Sequence, residues 1–253
     1  MLRIDRFPLA AMARRARERR AALFRATLAP KPGMRILDLG GGNGSHIARI
    51  LPDHDPRHVT VADISEWHLA AARREFRFDT VRLNEHAPTL PFDDAEFDIC
   101  FCSSVIEHIS VPKTELATCQ SERVFRDHAR ANQRAFASEV RRIAKGYFVQ
   151  TPYKYFPLES HSLLPMPVVL LPRPQQVAVI TRFSKYRRKR ATPDFLLFTR
   201  RELSAMFPDA QILSERWFGM TKSIMAVRPV DAAASVANSG DNSVPWALAR
   251  RRT

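Results

Sequence analysis

Cysteine is scarce in the 253-residue chain, at three residues. An odd, small number cannot close a disulfide framework, so a reducing compartment is expected. Glycine is sparse too, eight residues against 18 prolines, which excludes collagen-like and glycine-linker character. No apolar run reaches the roughly 18 residues that a spanning helix needs. The N-terminal MLRIDRFPLAAMARRARERRAALF contains no continuous apolar segment of the kind a secretory signal requires. These absences point to a cytoplasmic protein, with a peripheral position at the membrane left open. What is present is ordinary for a globular chain, 45% apolar and 26% charged. That suits one medium α/β domain with appendages, or at most two small domains.

The net charge of +14 is uneven. Residues 1–30 hold eight arginines against Asp5 and Glu18, and RFSKYRRKR at 182–190 holds six cations and no acid. A basic chain invites nucleic acid, anionic lipid or an acidic substrate. Two clusters on a nearly neutral body argue less for a nucleic-acid groove than a continuous stripe would. Leu9, Met12, Ala13, Ala16, Leu23, Phe24, Thr27 and Leu28 fall at helical spacing, with most arginines on the opposite face. Docking of this basic helix (1–30) on the domain is expected ahead of membrane contact, because the stripe is rich in alanine and has no tryptophan.

From Met34 the pattern alternates between strand and helix. MRILDL, HVTVAD, TVRL, FDICFC and GYFVQT read as five strands, Ser65 caps a helix through Phe76, and residues 113–145 read as one or two helices. Thr199-x-x-Glu202 is a capping box. AQILSERWF and KSIMAVR follow as two strands around Gly219, an antiparallel hairpin at the sheet edge. The expected fold is a Rossmann-like, doubly wound, mostly parallel α/β sheet closed by that hairpin. Two segments break the rhythm. Residues 152–198, with seven of the 18 prolines, read as a lid or acceptor insertion, and 229–253 as a disordered tail.

The informative stretch is Asp38-Leu39-Gly40-Gly41-Gly42-Asn43-Gly44. Glycines after a strand let a ligand approach the backbone, and the following helix N-terminus offers free N–H groups. Asp63 ends the second strand, 19 residues after Gly44, where a carboxylate can accept from ribose hydroxyls. Dinucleotide-binding domains need G-x-G-x-x-G, but position 45 is serine; a P-loop needs Gly-Lys-Ser/Thr.

With Asp-x-Gly-x-Gly-x-Gly, the chain resembles the class I S-adenosylmethionine (SAM)-dependent methyltransferases, most closely the quinone-biosynthesis and small-molecule subgroup. Asp63 in VADIS, the block Leu90-Pro91-Phe92 through Phe97-Asp98, and Glu107-His108 match further motifs of that family. The resemblance runs over about residues 30–228 and implies a seven-stranded sheet for a methyltransferase domain at 31–228. It implies SAM as cofactor, its methionine part on Gly40, Gly42 and Gly44 beside Asp38, its ribose on Asp63, and one adenine face on Ile64. Ser103, closing the fourth strand, joins that set. Where relatives carry an aspartate near the adenine amino group this chain has His86 next to Glu85, so that contact is unassigned.

Other residues invite weaker readings. Cys100 and Cys102 alternate along a buried strand and suit packing rather than metal, so no metal site is expected. The same resemblance implies that Glu107 and His108 shape a turn beside the cofactor rather than transfer a proton. Tyr153, Tyr155, Glu159 and His161 leave the carboxyl end of the fifth strand, the edge where such sheets bind ligands. His161 is the candidate acceptor-side base and Tyr153 a candidate partner. The expected reaction is in-line methyl transfer to a small-molecule or lipid-like acceptor. An RNA or DNA methyltransferase and a non-catalytic SAM-binding module are the alternatives.

Overall fold

The computed structural model describes residues 7–85, 87, 89–111, 121–157, 171, 173–184, 194–217 and 219–231. Helix α1 (Phe7–Leu28) precedes β1 (Ile36–Leu39), α2 (Ser45–Ile50), β2 (Val59–Asp63), α3 (Glu66–Phe76), β3 (Asp79–Arg82) and β4 (Phe97–Ser103). Then come α4 (Glu122–Ile143), β5 (Ala144–Pro152), α5 (Arg173–Ser184), α6 (Arg200–Met206), β6 (Gln211–Trp217) and β7 (Met220–Arg228).

The strands form one seven-stranded sheet in the order β3-β2-β1-β4-β5-β7-β6. Pairings from β3 to β5 are parallel, and β7 is antiparallel to both its neighbours. Central β1 is buried at all four positions, as a strand covered on both faces must be, which is why it reads as a short apolar run. The hairpin turns at Gly219, whose φ of 78° lies in the left-handed region. β6 takes the edge and β7 inserts between it and β5.

Local signals set the helix ends. The Ser65 side chain accepts from the His68 N–H at the start of α3, and Thr199 and Glu202 close a reciprocal capping box on α6. The helical region expected at 113–145 is one helix from Glu122 within the described residues. The 152–198 segment carries α5, so it is more than a loop.

The two faces of the sheet hold separate cores. One, with Leu39, Cys100, Cys102, Val140, Tyr147 and Phe198, lies under α4 and α6. The other, with Phe24, Ile36, Ile47, Leu69, Phe101 and Phe148, lies under α1, α2 and α3. Phe24 is fully buried, its ring 5.3 Å from Phe101 and 5.7 Å from Phe148 in edge-on contact. The docked helix therefore forms part of this core. Arg15, Arg17, Arg19 and Arg25 are exposed, whereas Arg20 turns in toward the sheet, donating from Nη1 to Gln150 Oε1 over 2.7 Å.

Candidate active site

The carboxyl ends of β1, β2 and β4 open on a cavity of about 400 Å³, bounded by Asp38, the glycine loop, His46, Trp67, Phe101 and Ser103. The loop leaves β1 tightly, with the Gly40 N–H donating to Ala62 O at 2.7 Å and the Gly44 N–H to Gly41 O at 3.0 Å. Gly42 has φ 58°, and a Cβ built on it would meet nothing within 4 Å. Its backbone thus faces open space in a conformation that β-branched residues avoid.

Asp63 braces this loop. Its Oδ2 accepts from the Gly42 N–H and its Oδ1 from the Ser65 N–H, each at 2.9 Å. Each oxygen keeps a lone pair, which suits two adjacent hydroxyls such as a ribose diol. Asp38 lies beneath, 2% exposed, and its Oδ2 has no hydrogen-bond partner among the described residues. Burial, and then the negative charge of Asp63, push its carboxyl up to about 7. A buried acceptor left without a donor is costly unless a ligand supplies one. His46 is in the same condition, its Nε2 buried without a partner and its ring 5.3 Å from Phe101. Burial and the nearby Arg20, Arg17 and Arg49 push it down to about 4, so the ring is neutral near pH 7.

The structure gathers most of the expected cofactor residues. Asp38, Gly40, Gly42 and Ser103 line the cavity, and Asp63 supports it from behind. Gly44 sits under the loop as the left-handed residue before α2. Ile64 is half-exposed and does not line the cavity, whereas Trp67, 77% exposed, does. Tyr153 also lies apart. Its ring packs against the α4-side core, its N–H donates to Lys222 O at 3.0 Å, and it does not line the cavity. His161, Glu159, His86 and most of the basic 182–190 run lie outside the described residues.

Sequence reasoning missed His46, Trp67, Gln150 and Arg20. Gln150 Oε1 accepts from Ser103 Oγ at 2.7 Å, Ser104 Oγ at 3.3 Å and Arg20 Nη1 at 2.7 Å. Ser104 has φ 59°, a left-handed conformation held in part by its N–H bond to Gln150 O at 2.9 Å. Strain of this kind gathers where a ligand must be met.

Other motif residues build the frame. His108 Nδ1 lies 3.0 Å from Asp194 Oδ1, and Glu107 O accepts from the Leu196 N–H at 2.8 Å, pinning 194–198 to the domain. Arg142 of α4 donates to Phe92 O at 2.8 Å and Leu90 O at 3.2 Å, fixing the Leu-Pro-Phe turn. Cys100 and Cys102 are buried free thiols, and no group able to hold a metal exists among the described residues.

A methyltransferase domain family matches residues 36–128, from β1 into α4. The stretch from β1 into α4 thus resembles a methyltransferase domain. Over 88 residues the chain is 36% identical to the ubiquinone/menaquinone biosynthesis C-methyltransferase UbiE of Vibrio parahaemolyticus, covering 32% of this chain and 33% of that protein. Over 99 residues it is 36% identical to the demethylmenaquinone methyltransferase of Clavibacter sepedonicus, covering 38% and 39%. The chain thus spans about a third of the length of these curated relatives. A solved protein of Pyrococcus horikoshii OT3 superposes with a TM-score of 0.51 at 16% identity, covering 86% of this chain and 91% of that one. One from Bordetella parapertussis gives 0.52 at 13%, covering 89% and 71%. These two show the fold alone. The matched methyltransferase domain contains the glycine loop, Asp63 and Ser103, but not α1, β5, β6 or β7.

Proposed function

We propose that the protein transfers a methyl group from SAM to a small-molecule or lipid-like acceptor. The observation that carries this reading is the open glycine loop at Gly42, braced by Asp63 and facing the cavity. SAM supplies a methyl group on a sulfonium, already reactive toward an oxygen, nitrogen or carbon nucleophile. The chain's part is then proximity and alignment. In this reading Asp63 accepts from the ribose hydroxyls, and Asp38 with the Gly40–Gly44 backbone holds the methionine end. Trp67 covers the adenine in the place first given to Ile64. Ser103 marks the edge where donor and acceptor meet.

Whereas the Tyr153 ring packs on the α4-side core, His161 belongs to the acceptor side, where a base serves an acceptor that must lose a proton early. The 152–198 segment is its lid, and 1–30 and 229–253 are appendages of the 31–228 domain. No described helix is long and apolar enough to cross a membrane. Peripheral contact with an anionic surface by the basic segments fits a lipid-like acceptor and a cytoplasmic site. A metabolite extract incubated with methyl-labelled SAM tests the proposal. Label should move into a small organic product with the wild type and not with Gly42→Val; label in nucleic acid would contradict it.

A further inference from the structure

Outside residues 36–128, Arg20 and Lys222 come to the carboxyl edge of β5, with Arg17 one turn before Arg20 on α1. Arg17 and Arg20 are three positions apart on α1 and share one face. Arg20 lies between Gln150, at 2.7 Å, and Glu215, whose Oε2 is 3.8 Å from Arg20 Nε. Glu215 is itself buried and accepts from Ser223 Oγ at 2.5 Å. Lys222 of β7 is half-buried, with Nζ 4.7 Å over the Trp217 ring, yet its ammonium makes no ion pair or hydrogen bond among the described residues. Burial lowers its pKa, Glu215 opposes this, and Arg20 and Arg17 add to it. The acids that act on Arg20 are Glu215 and Glu107.

We propose that Lys222 and Arg17, backed by Arg20, form an anion subsite that holds a carboxylate on the methyl acceptor, with the acceptor's apolar body along Trp217. This rests on the methyltransferase reading. A guanidinium beside an ammonium supplies the donors a carboxylate takes. The place fits the acceptor and not the cofactor. Gln150 Oε1 links Arg20 directly to Ser103 on the cavity wall. β7 stands three strand spacings from β1, about 14 Å, beyond the loop that takes the cofactor. Phe156, its ring 6.3 Å from Trp217, extends the apolar surface.

The test is an NMR titration of benzoate and its neutral counterpart benzamide into full-length protein saturated with S-adenosylhomocysteine. Benzoate should bind about tenfold tighter than benzamide. Lys222→Met and Arg17→Gln should each weaken benzoate about tenfold and leave benzamide and S-adenosylhomocysteine within about twofold, while Lys222→Arg restores benzoate. Arg17 is exposed, so its variant stays folded even where Lys222→Met does not. Equal binding of benzoate and benzamide by the wild type would overturn the subsite. An equal loss of S-adenosylhomocysteine affinity would assign these cations to the cofactor instead. If S-adenosylhomocysteine does not bind the wild type at all, the cofactor reading fails, and benzoate against benzamide on the unliganded protein still decides the subsite.

Discussion

Arg20 and Gln150 lie 130 positions apart in the chain, and the guanidinium Nη1 of the first donates to Oε1 of the second over 2.7 Å. The same oxygen accepts from Ser103 Oγ at 2.7 Å. An amide whose oxygen is held by a group that can only donate has one orientation open to it. The N-terminal helix is thereby tied to the ends of β4 and β5, where the proposed acceptor meets the cofactor. Phe24, one turn further along the same helix, anchors it in the core.

Arg20→Met removes that tie and leaves Glu215 facing a weaker positive field. The loss should be about 1–3 kcal/mol, seen as a lower melting temperature. S-adenosylhomocysteine affinity should stay within about twofold of wild type, because the glycine loop and Asp63 are untouched. An unchanged melting temperature would show that α1 docks through its buried Ala21, Phe24 and Leu28 without this tie.

The two displaced titrations at the cavity oppose each other. Asp38 is pushed up to about 7, so the folded protein binds more protons there than the unfolded chain does. Its contribution to stability falls as pH rises from its ordinary value, about 4, to about 7. His46 is pushed down to about 4, so its contribution grows as pH rises from there to its ordinary value, about 6.5. Asp38→Asn should therefore raise the unliganded melting temperature at pH 8 by a few degrees and leave only the rise between pH 4 and 6.5. His46→Gln should leave only the fall. Thermal denaturation across pH 4–8 checks both curves. No gain for Asp38→Asn at pH 8 would contradict the buried, partnerless carboxyl.

Trp67 lines the cavity while 77% exposed, an uncommon position for so large an apolar ring. Stacking on a base is worth about 1–3 kcal/mol. Trp67→Ala should weaken S-adenosylhomocysteine binding by roughly 5- to 100-fold at unchanged melting temperature. Ile64→Ala should have a smaller effect. The reverse order would return the adenine to Ile64.

Much of this architecture is legible in the amino-acid order because it is local. Ile36, Leu37 and Leu39 are apolar because β1 is buried on both faces, and Thr199 with Glu202 caps α6 within four residues. The glycine loop is legible for the same reason. The acceptor side depends on long-range placement instead. Helical spacing sets the arginines of α1 as a solvent face, and only the way α1 crosses the sheet turns Arg20 inward. Strand parity does carry one unread signal. Gln150 and Tyr153 differ by an odd number of positions on one extended segment, so they point to opposite faces, as Tyr153 packing on the α4 side bears out. Trp67 was hidden because a tryptophan in a helix reads as core.

In the proposed function the loop at Gly42 receives S-adenosylmethionine. Calorimetry with S-adenosylhomocysteine on the wild type, Gly42→Val and Gly33→Val tests it most directly. Gly33 and Gly42 both have positive φ, 82° and 58°, and neither would crowd a Cβ, so both valines meet similar backbone strain of about 1–2 kcal/mol. Only the one at Gly42 enters the cavity. Wild type and Gly33→Val should bind alike, and Gly42→Val should bind at least about 100-fold more weakly. No uptake by the wild type at about 1 mM, or equal affinity in all three proteins, would show that this loop is not a cofactor site.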